Sequence, residues 1–348
     1  MTGNGVIMSK NYLITGGAGF IGSNYIHRLL KRGEKVTIYD NFARAGAPRN
    51  LDWLKQEFGE NAFDVIVGDV RDAERIAESA KGADVIVHLA GQVAVTTSVI
   101  NPRDDFESNA FGTFNALEAA RLSGRNPIFI YASTNKVYGG MEDVELFEEP
   151  TRWRYKDLVN GCPETQPLDF HSPYGCSKGA GDQYVRDYAR IYGLRSIVFR
   201  QSCIYGPRQF GIEDQGWVAW FIIAAVMKRA ITIYGDGKQV RDILYIDDLV
   251  NAYDLAIEKI DVSAGQVFNL GGGPDNVMSV WAEFGPKLEK LIGESIQVAR
   301  GDWRPGDQRV FYADISKAEK ELSWKPKINV EAGVQKLFDW VKENQGLF

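Results

Sequence analysis

Tyr12-Leu13-Ile14-Thr15-Gly16-Gly17-Ala18-Gly19-Phe20-Ile21-Gly22 passes from an apolar run through a glycine turn into a helical pattern carried by Asn24, Ile26, Leu29 and Leu30 and ended by Gly33. The order strand, turn, helix gives each glycine a task. Gly16 permits the tight turn, Gly19 lets backbone amides approach a pyrophosphate, and Gly22 lets the helix pack close to the strand. A second strand, Lys35-Val36-Thr37-Ile38-Tyr39-Asp40, ends on a carboxylate at roughly the 20-residue offset of a group that binds a ribose 2′-hydroxyl. Its negative charge would repel a 2′-phosphate, so the pattern favours NAD over NADP, with Arg44 nearby as a contrary sign.

Working outward, Val65 to Asp69, Val85 to Ala90, Ile128 to Ala132 and Ser196 to Phe199 read as further short strands. Helical patterns alternate with them, at Phe111 to Leu122 and after Tyr174. Such alternation predicts an α/β fold, a doubly wound parallel sheet of the Rossmann type. Beyond Arg200 the pattern is less regular, with aromatic-rich Trp217 to Ile223, a strand at Thr232 to Tyr234 and another at Val267 to Leu270. A smaller mixed α/β substrate-binding lobe is expected from 201–239 and 271–348, interleaved with a dinucleotide-binding domain of 1–200 plus about 240–270.

The 348 residues suit such a pair of lobes, and a net charge of -6 offers no basic field for nucleic acid or an acidic membrane surface. Neither is expected as a partner. Cys162, Cys176 and Cys203 lack metal-ligand spacing and are odd in number, which reads as reduced thiols, no metal and a cytoplasmic location. Met1 to Ser9 has neither the basic nor the apolar region of a signal peptide and reads as a short loose leader.

Tyr174 and Lys178 stand four apart on a predicted helix, so both face one way. A phenol is a poor base at neutral pH, but a lysine ammonium and a nicotinamide positive charge favour its phenolate. Thr134, beside Ser133 at the end of the Ile128 to Ala132 strand, brings a hydroxyl to the same sheet edge. His171, three residues before Tyr174, could bond a sugar hydroxyl or cap the helix; His88 reads as a satisfied core histidine and His27 as a helix-face residue.

The strings TGGAGFIG (15–22), YDN (39–41), HLAG (88–91), NAFGTFNALEAAR (109–121), STNKVYG (133–139) and SPYGCSK (172–178) resemble the extended short-chain dehydrogenases/reductases that modify nucleotide sugars. YGPRQ (205–209), GDGKQVRDILYIDD (235–248) and RPGDQRVFYADISKAEKELSWKP (304–326) extend the likeness over nearly the whole chain. The resemblance implies Thr134, Tyr174 and Lys178 as catalytic groups. It adds Phe20, Ile21, Asn41, Leu89, Ala90 and Gly91 to Gly16, Gly19, Gly22 and Asp40 around the cofactor, with Asp69 and Val70 at the adenine. Arg241 and Arg304 would hold the substrate diphosphate, as bidentate guanidinium groups do. Gln92, Asn109, His171, Cys203, Arg208, Gln239 and Asp307 complete the substrate contacts that it implies. It also implies a homodimer, or a tetramer, through the Asn109 to Arg121 and Tyr174 to Tyr192 helices.

A narrower likeness, in LDFHSPYGCSKGAGDQYVRDYARIYGL (168–194) and DQGWV (214–218), is to the branch of that family that inverts C2 of CDP-sugars. The insert from Gly140 to Gln166 resembles that branch too, and its Trp153, Arg154 and Tyr155 could line the pocket or belong to an exposed loop. Two departures matter. Cys203 stands where many relatives have asparagine, and Asn135-Lys136 stands where sugar 4,6-dehydratases have Asp-Glu, which argues against dehydration. The expected reaction is transient oxidation to a 2-keto sugar with retained NAD. The competing readings are a UDP-sugar 4-epimerase, an NAD(P)-linked nucleotide-sugar reductase or decarboxylase, and an NAD-sensing binding protein; the last would be expected to have lost Tyr174 or Lys178.

Overall fold

The computed structural model describes residues 9–304 and 307–348, so the expected leader lies outside the described residues except for Ser9. Seven parallel strands form the main sheet in the spatial order Val267–Leu270, Arg195–Gln201, Ile128–Thr134, Val85–His88, Asn11–Thr15, Lys35–Asp40 and Asp64–Val67. Both faces are covered, which is why the strands are almost continuously apolar. Tyr12, Ile14, Val85, Val87, Ile128 and Ile130 enter one core, while Leu13, Ile86, Phe129 and Tyr131 enter the other. The period of two along each strand thus supplies both layers. The chain runs outward from Asn11–Thr15 to Asp64–Val67 and then returns to Val85–His88 on the other side. This reversal opens the crevice at the carboxyl ends of those two strands where such sheets take their ligands.

The second lobe is mixed. Val240–Tyr245 is its centre, pairing in parallel with Cys203–Tyr205 and Val310–Phe311 and antiparallel with Val277–Ser279. Ile231–Tyr234 and Val298–Gly301 form a parallel pair beside it. The segment expected to return whole to the dinucleotide domain therefore divides: Val240–Tyr245 joins the small sheet and Val267–Leu270 the large one.

The Gly140 to Gln166 insert folds as an antiparallel hairpin, Leu146–Glu148 with Trp153–Tyr155, and packs on the small lobe. The Trp153 indole donates to Asp236 at 2.7 Å, Arg152 grips Glu283 at 2.7 and 2.8 Å, and the Tyr155 hydroxyl donates to the Val310 carbonyl at 3.0 Å. Arg154 points outward to Glu149 at 3.3 Å. These aromatics brace the lobe and are not the free loop side chains that the insert's length suggests. Among the described residues, no helix is long and apolar enough to cross a membrane.

Candidate active site

Gly16 adopts φ 68°, and a Cβ there would meet the Ala90 nitrogen at 2.8 Å; a Cβ on Gly22 would meet the Gly16 and Gly17 carbonyl oxygens at 2.6 Å. The backbone fits only without side chains at both places. Gly19 is the N-cap of the helix Phe20–Lys31 and has no side chain to cap it, so amides at Phe20 and Ile21 and the positive end of the helix dipole are left for an anion. Asp40 is buried, and its carboxylate accepts from the Ala18 amide at 3.0 Å and the Phe42 amide at 2.8 Å. Burial raises its pKa and these two amides oppose the rise. It therefore organises the glycine turn as well as facing the crevice.

Asn41 donates to Asp69 at 2.9 Å, and Arg71 holds that carboxylate down at about 2. Val70 is buried beside Gly112. Leu89 and Ala90 are fixed by their amides, which donate to the Thr15 carbonyl at 3.0 Å and the Thr15 hydroxyl at 3.3 Å. Gly91 lies against Asn109, whose Oδ1 a Cβ there would meet at 2.4 Å. The residues present fit a dinucleotide with free ribose hydroxyls.

Thr134 ends its strand and caps the 3-10 turn Asn135–Tyr138, its Oγ1 accepting from the Lys136 amide at 3.3 Å. The Thr134 hydroxyl donates to Asn135 Oδ1 at 3.3 Å and acts on Tyr174, which lies in the first turn of the helix Ser172–Tyr192. Pro173 starts that helix and Gly193 in the left-handed region stops it. The Tyr174 phenol is pushed up to about 12 by burial; the Thr134 hydroxyl lowers it, Asp105 raises it, and Arg44 lowers it. The Lys178 ammonium lies 4.3 Å from the centre of the Tyr131 ring and is pushed down to about 7 by burial, with Asp105 and Asp182 pulling it back up. Thr134 ends its strand beside the helix that carries Tyr174 and Lys178. The Thr134 hydroxyl and Arg44 lower the phenol, while Lys178 is stacked on Tyr131.

Asp105 organises the back of this site. It is fully buried and accepts from Ser177 at 2.5 Å, from Asn109 at 3.1 Å and from Gln92 at 3.1 Å. Gln92 and Asn109, expected at the substrate, thus spend their amide nitrogens on the scaffold. Asn109 also sits in a π-turn, Glu107–Phe111, where the sequence reads as the start of an ordinary helix; the α-helix begins at Gly112. Such insertions cluster at functional sites. Ser98 adds a bond from the Tyr174 amide at 3.1 Å. Neither Asp105 nor Ser98 was singled out from the sequence, although Asp105 and Asn109 are four apart and share a helical face.

On the small lobe, Arg241 pairs with Asp307 at 2.6 Å, and Arg304 lies 3.9 Å from the centre of the Tyr234 ring while pairing with Asp214 at 3.1 Å. Gln239 donates to the Tyr234 carbonyl at 2.6 Å, and its Oε1 is buried without a protein partner among the described residues. Cys203, in the strand beside Arg241, has its thiol raised by burial. Arg208 has φ 69°, and its guanidinium stacks on Trp53 at 4.3 Å and Trp340 at 5.6 Å. Its backbone is left-handed, and its guanidinium lies between the two tryptophans.

His171 stands at the N-cap position without capping; its ring meets Asp169 at 2.8 Å, and Glu142 brings a third potential ligand atom within 4.8 Å. Arg44 donates to Gln215 across the crevice.

His88 is the core residue expected, bonded to Thr15 at 2.7 Å and Thr113 at 3.1 Å. Burial pulls its pKa from 6.5 down to about 3, with Lys178 adding to the fall. Between those values the unfolded chain takes up a proton that the native imidazole refuses. The stability it contributes is complete above pH 6.5 and is lost as pH falls toward 3. The native urea midpoint should therefore drop more steeply from pH 7 to 5 than that of His88→Gln; equal slopes would exclude this linkage.

A seven-stranded parallel sheet with its glycine turn, carrying Thr134, Tyr174 and Lys178 at the same edge, defines a dinucleotide-dependent dehydrogenase/reductase architecture. The chain belongs to the extended short-chain dehydrogenases/reductases, in the family described as GDP-mannose 4,6 dehydratase, whose model matches residues 13–337. It is 45% identical over 335 residues to CDP-paratose 2-epimerase of Salmonella typhi, covering 94% of this chain and 98% of that protein. UDP-glucose 4-epimerase of Thermotoga maritima, solved with UDP-glucose, superposes with a TM-score of 0.82 at 31% identity, covering 96% of this chain and 99% of that one. A double mutant of dTDP-glucose 4,6-dehydratase from Streptomyces venezuelae, solved with NAD, gives 0.83 at 28% identity, with 97% and 98% covered.

Proposed function

We propose that this chain is an NAD-dependent epimerase that inverts C2 of a CDP-sugar, converting CDP-paratose to CDP-tyvelose. The observation that carries the proposal is the 45% identity to CDP-paratose 2-epimerase along almost the entire length of both chains. The site supports it. NAD, held by the glycine turn and Asp40, supplies the means to take hydride from the sugar carbon and give it back to the opposite face. Tyr174 takes the proton of the C2 hydroxyl as the carbonyl forms and returns it after inversion. Thr134, whose hydroxyl lowers the phenol's pKa, bonds the same sugar oxygen and steadies it as the proton moves. Lys178 contributes a desolvated ammonium between Tyr131 and the two buried aspartates. Arg241 and Arg304 tether the diphosphate while the ring turns over. Asn135 donates to Gln308 at 3.4 Å and offers no carboxylic acid for eliminating water.

The test is to incubate the purified protein with CDP-paratose and UDP-glucose and follow both by NMR. Inversion at C2 of the cytidine sugar is expected. Conversion of UDP-glucose alone, at C4, would replace this reading with the 4-epimerase one.

Asp40→Asn should raise the NAD dissociation constant about tenfold or more, the cost of losing a charged hydrogen-bond acceptor. Calorimetry reads it directly; an unchanged affinity would remove Asp40 from the ribose site.

The working unit is a homodimer in the cytoplasm. Phe111, Phe114, Leu122, Tyr184, Ile191 and Tyr192 leave apolar surface on the helices Gly112–Leu122 and Ser172–Tyr192 and the turn before them, while Val185 and Tyr188 are buried within the chain. An apolar surface of this kind favours a self-complementary pairing. Ile191→Glu should shift the sedimentation coefficient to that of a monomer; an unchanged value would contradict this face. The free thiols Cys162, Cys176 and Cys203 suit a reducing compartment.

A further inference from the structure

Arg304, given above to the substrate's diphosphate, already holds another anion. Its two terminal nitrogens are taken by a single turn: Nη2 pairs with the Asp214 carboxylate at 3.1 Å, and Nη1 donates to the Glu213 carbonyl at 3.3 Å. The same guanidinium lies 3.9 Å from the centre of the Tyr234 ring, and the Tyr234 hydroxyl donates to the Glu213 carboxylate at 3.2 Å. Glu213 and Asp214 form the tip of a turn closed by two backbone bonds between Ile212 and Gln215, at 3.1 and 2.9 Å. Arg44, on the loop after Asp40, donates to the Gln215 side chain. The Asp214 carboxylate is thus presented to Arg304 by a turn that is held independently of it. The two N–H groups spent there are the fork that an arginine offers to phosphate oxygens. Arg241 differs. Its pair with Asp307 is nearly enclosed, the side chains being 8% and 25% exposed, whereas those of Arg304 and Asp214 are 26% and 43% exposed. An ion pair open to water is worth little, so the Arg304–Asp214 pair is the one that a stronger anion can open.

We propose that Asp214 competes with the substrate's diphosphate for Arg304 and so sets how tightly the nucleotide sugar is held. The inference rests on the nucleotide-sugar reading above, which gives Arg304 its ligand. Binding exchanges one ion pair for another. The phosphoryl oxygens, which carry more charge than a carboxylate and meet both arms of the fork, take the Nη1 and Nη2 hydrogens. Asp214 turns into water, where its charge is solvated at little cost. The turn keeps its shape, because its closing bonds and the Arg44 contact do not involve Arg304. Substrate and product carry the same diphosphate, so the contest loosens both equally and favours release after inversion.

The experiment is a double-mutant cycle read by calorimetric titration with CDP, on the NAD-loaded native protein, Asp214→Asn, Arg304→Met and the two combined. Asp214→Asn should bind CDP about three- to fivefold more tightly, the upper end of what an exposed pair is worth. Arg304→Met should bind it about tenfold or more weakly, as loss of a charge-assisted contact does. In the double variant the gain from Asp214→Asn should vanish, because no guanidinium is left to release. A gain of equal size with and without Arg304 would show only that a negative charge had left the neighbourhood, and would overturn the proposal. Unchanged or weaker binding by Asp214→Asn would overturn it too, as would CDP affinity indifferent to Arg304→Met; each of these leaves the nucleotide-sugar reading standing. UDP is titrated in parallel and carries the cycle if it binds in place of CDP. Binding of neither diphosphate by the native protein would bring down the nucleotide-sugar reading and this proposal with it. Thermal melting of each variant reports whether the fold is intact.

Discussion

Tyr174→Phe is expected to lower kcat by about 10²- to 10⁴-fold, the range supplied by a positioned general acid–base, while NAD remains bound. The substitution removes one oxygen and leaves the ring in place. Tyr174 is buried, its backbone amide is held by Ser98, and its helix is anchored at Asp105 through Ser177, so the fold does not depend on the hydroxyl. What is lost is the phenol on which Thr134 acts. The native site keeps that phenol high, at about 12, through burial. Thr134 and Arg44 offset part of this, and the positive nicotinamide adds to them when NAD is present. Thr134 alone has an alcohol too weakly acidic to replace the phenol. Turnover near the native rate with Tyr174→Phe would remove Tyr174 from proton transfer.

Asp182→Ala should cost about 3–5 kcal/mol of folding stability, because it leaves a buried guanidinium without its counter-ion. Asp182 and Arg200 are both fully enclosed, joined by two bonds of 2.9 and 3.0 Å. Asp182 also accepts from Ser133 at 2.8 Å. This carboxylate therefore ties the catalytic helix to two adjacent strands, one of them ending in Thr134. Once Asp182 is gone, Arg200 keeps the Tyr138 hydroxyl at 3.1 Å, the Tyr138 ring and a carbonyl at 3.4 Å, none of them charged. Urea unfolding of the apoprotein measures the loss; a change of less than about 1 kcal/mol, the size of an exposed pair, would contradict the burial argument.

The parts of this molecule that were legible in the sequence depend on short spacings. The glycine turn, the run of parallel strands and the Tyr174–Lys178 pair are each set by periods of two, three or four residues, and the main sheet brings them to one edge as expected. The parts that were not legible depend on contacts between distant segments. The fate of Arg208 follows from a left-handed backbone and from Trp53 and Trp340, on helices far before and after it. The Asp182–Arg200 pair gives no periodic signal, since one partner lies on a helix and the other on a strand. The π-turn at Glu107–Phe111 hides within a pattern that scores as helix, because Asp105 redirects Asn109 only in three dimensions. The hairpin in the Gly140 to Gln166 insert was hidden for a similar reason: its strands are three residues each, and Glu283, Asp236 and Val310 hold them.

The central claim is inversion at C2 by removal and return of the same hydrogen within one site. CDP-paratose carrying deuterium at C2, converted by the protein in ordinary water, tests it most directly. The deuterium is expected to remain on the inverted C2 of the product, because NAD holds it between the two half-reactions. Loss of the label to solvent would mean a proton exchanged through an enol and would rule out hydride return within the site.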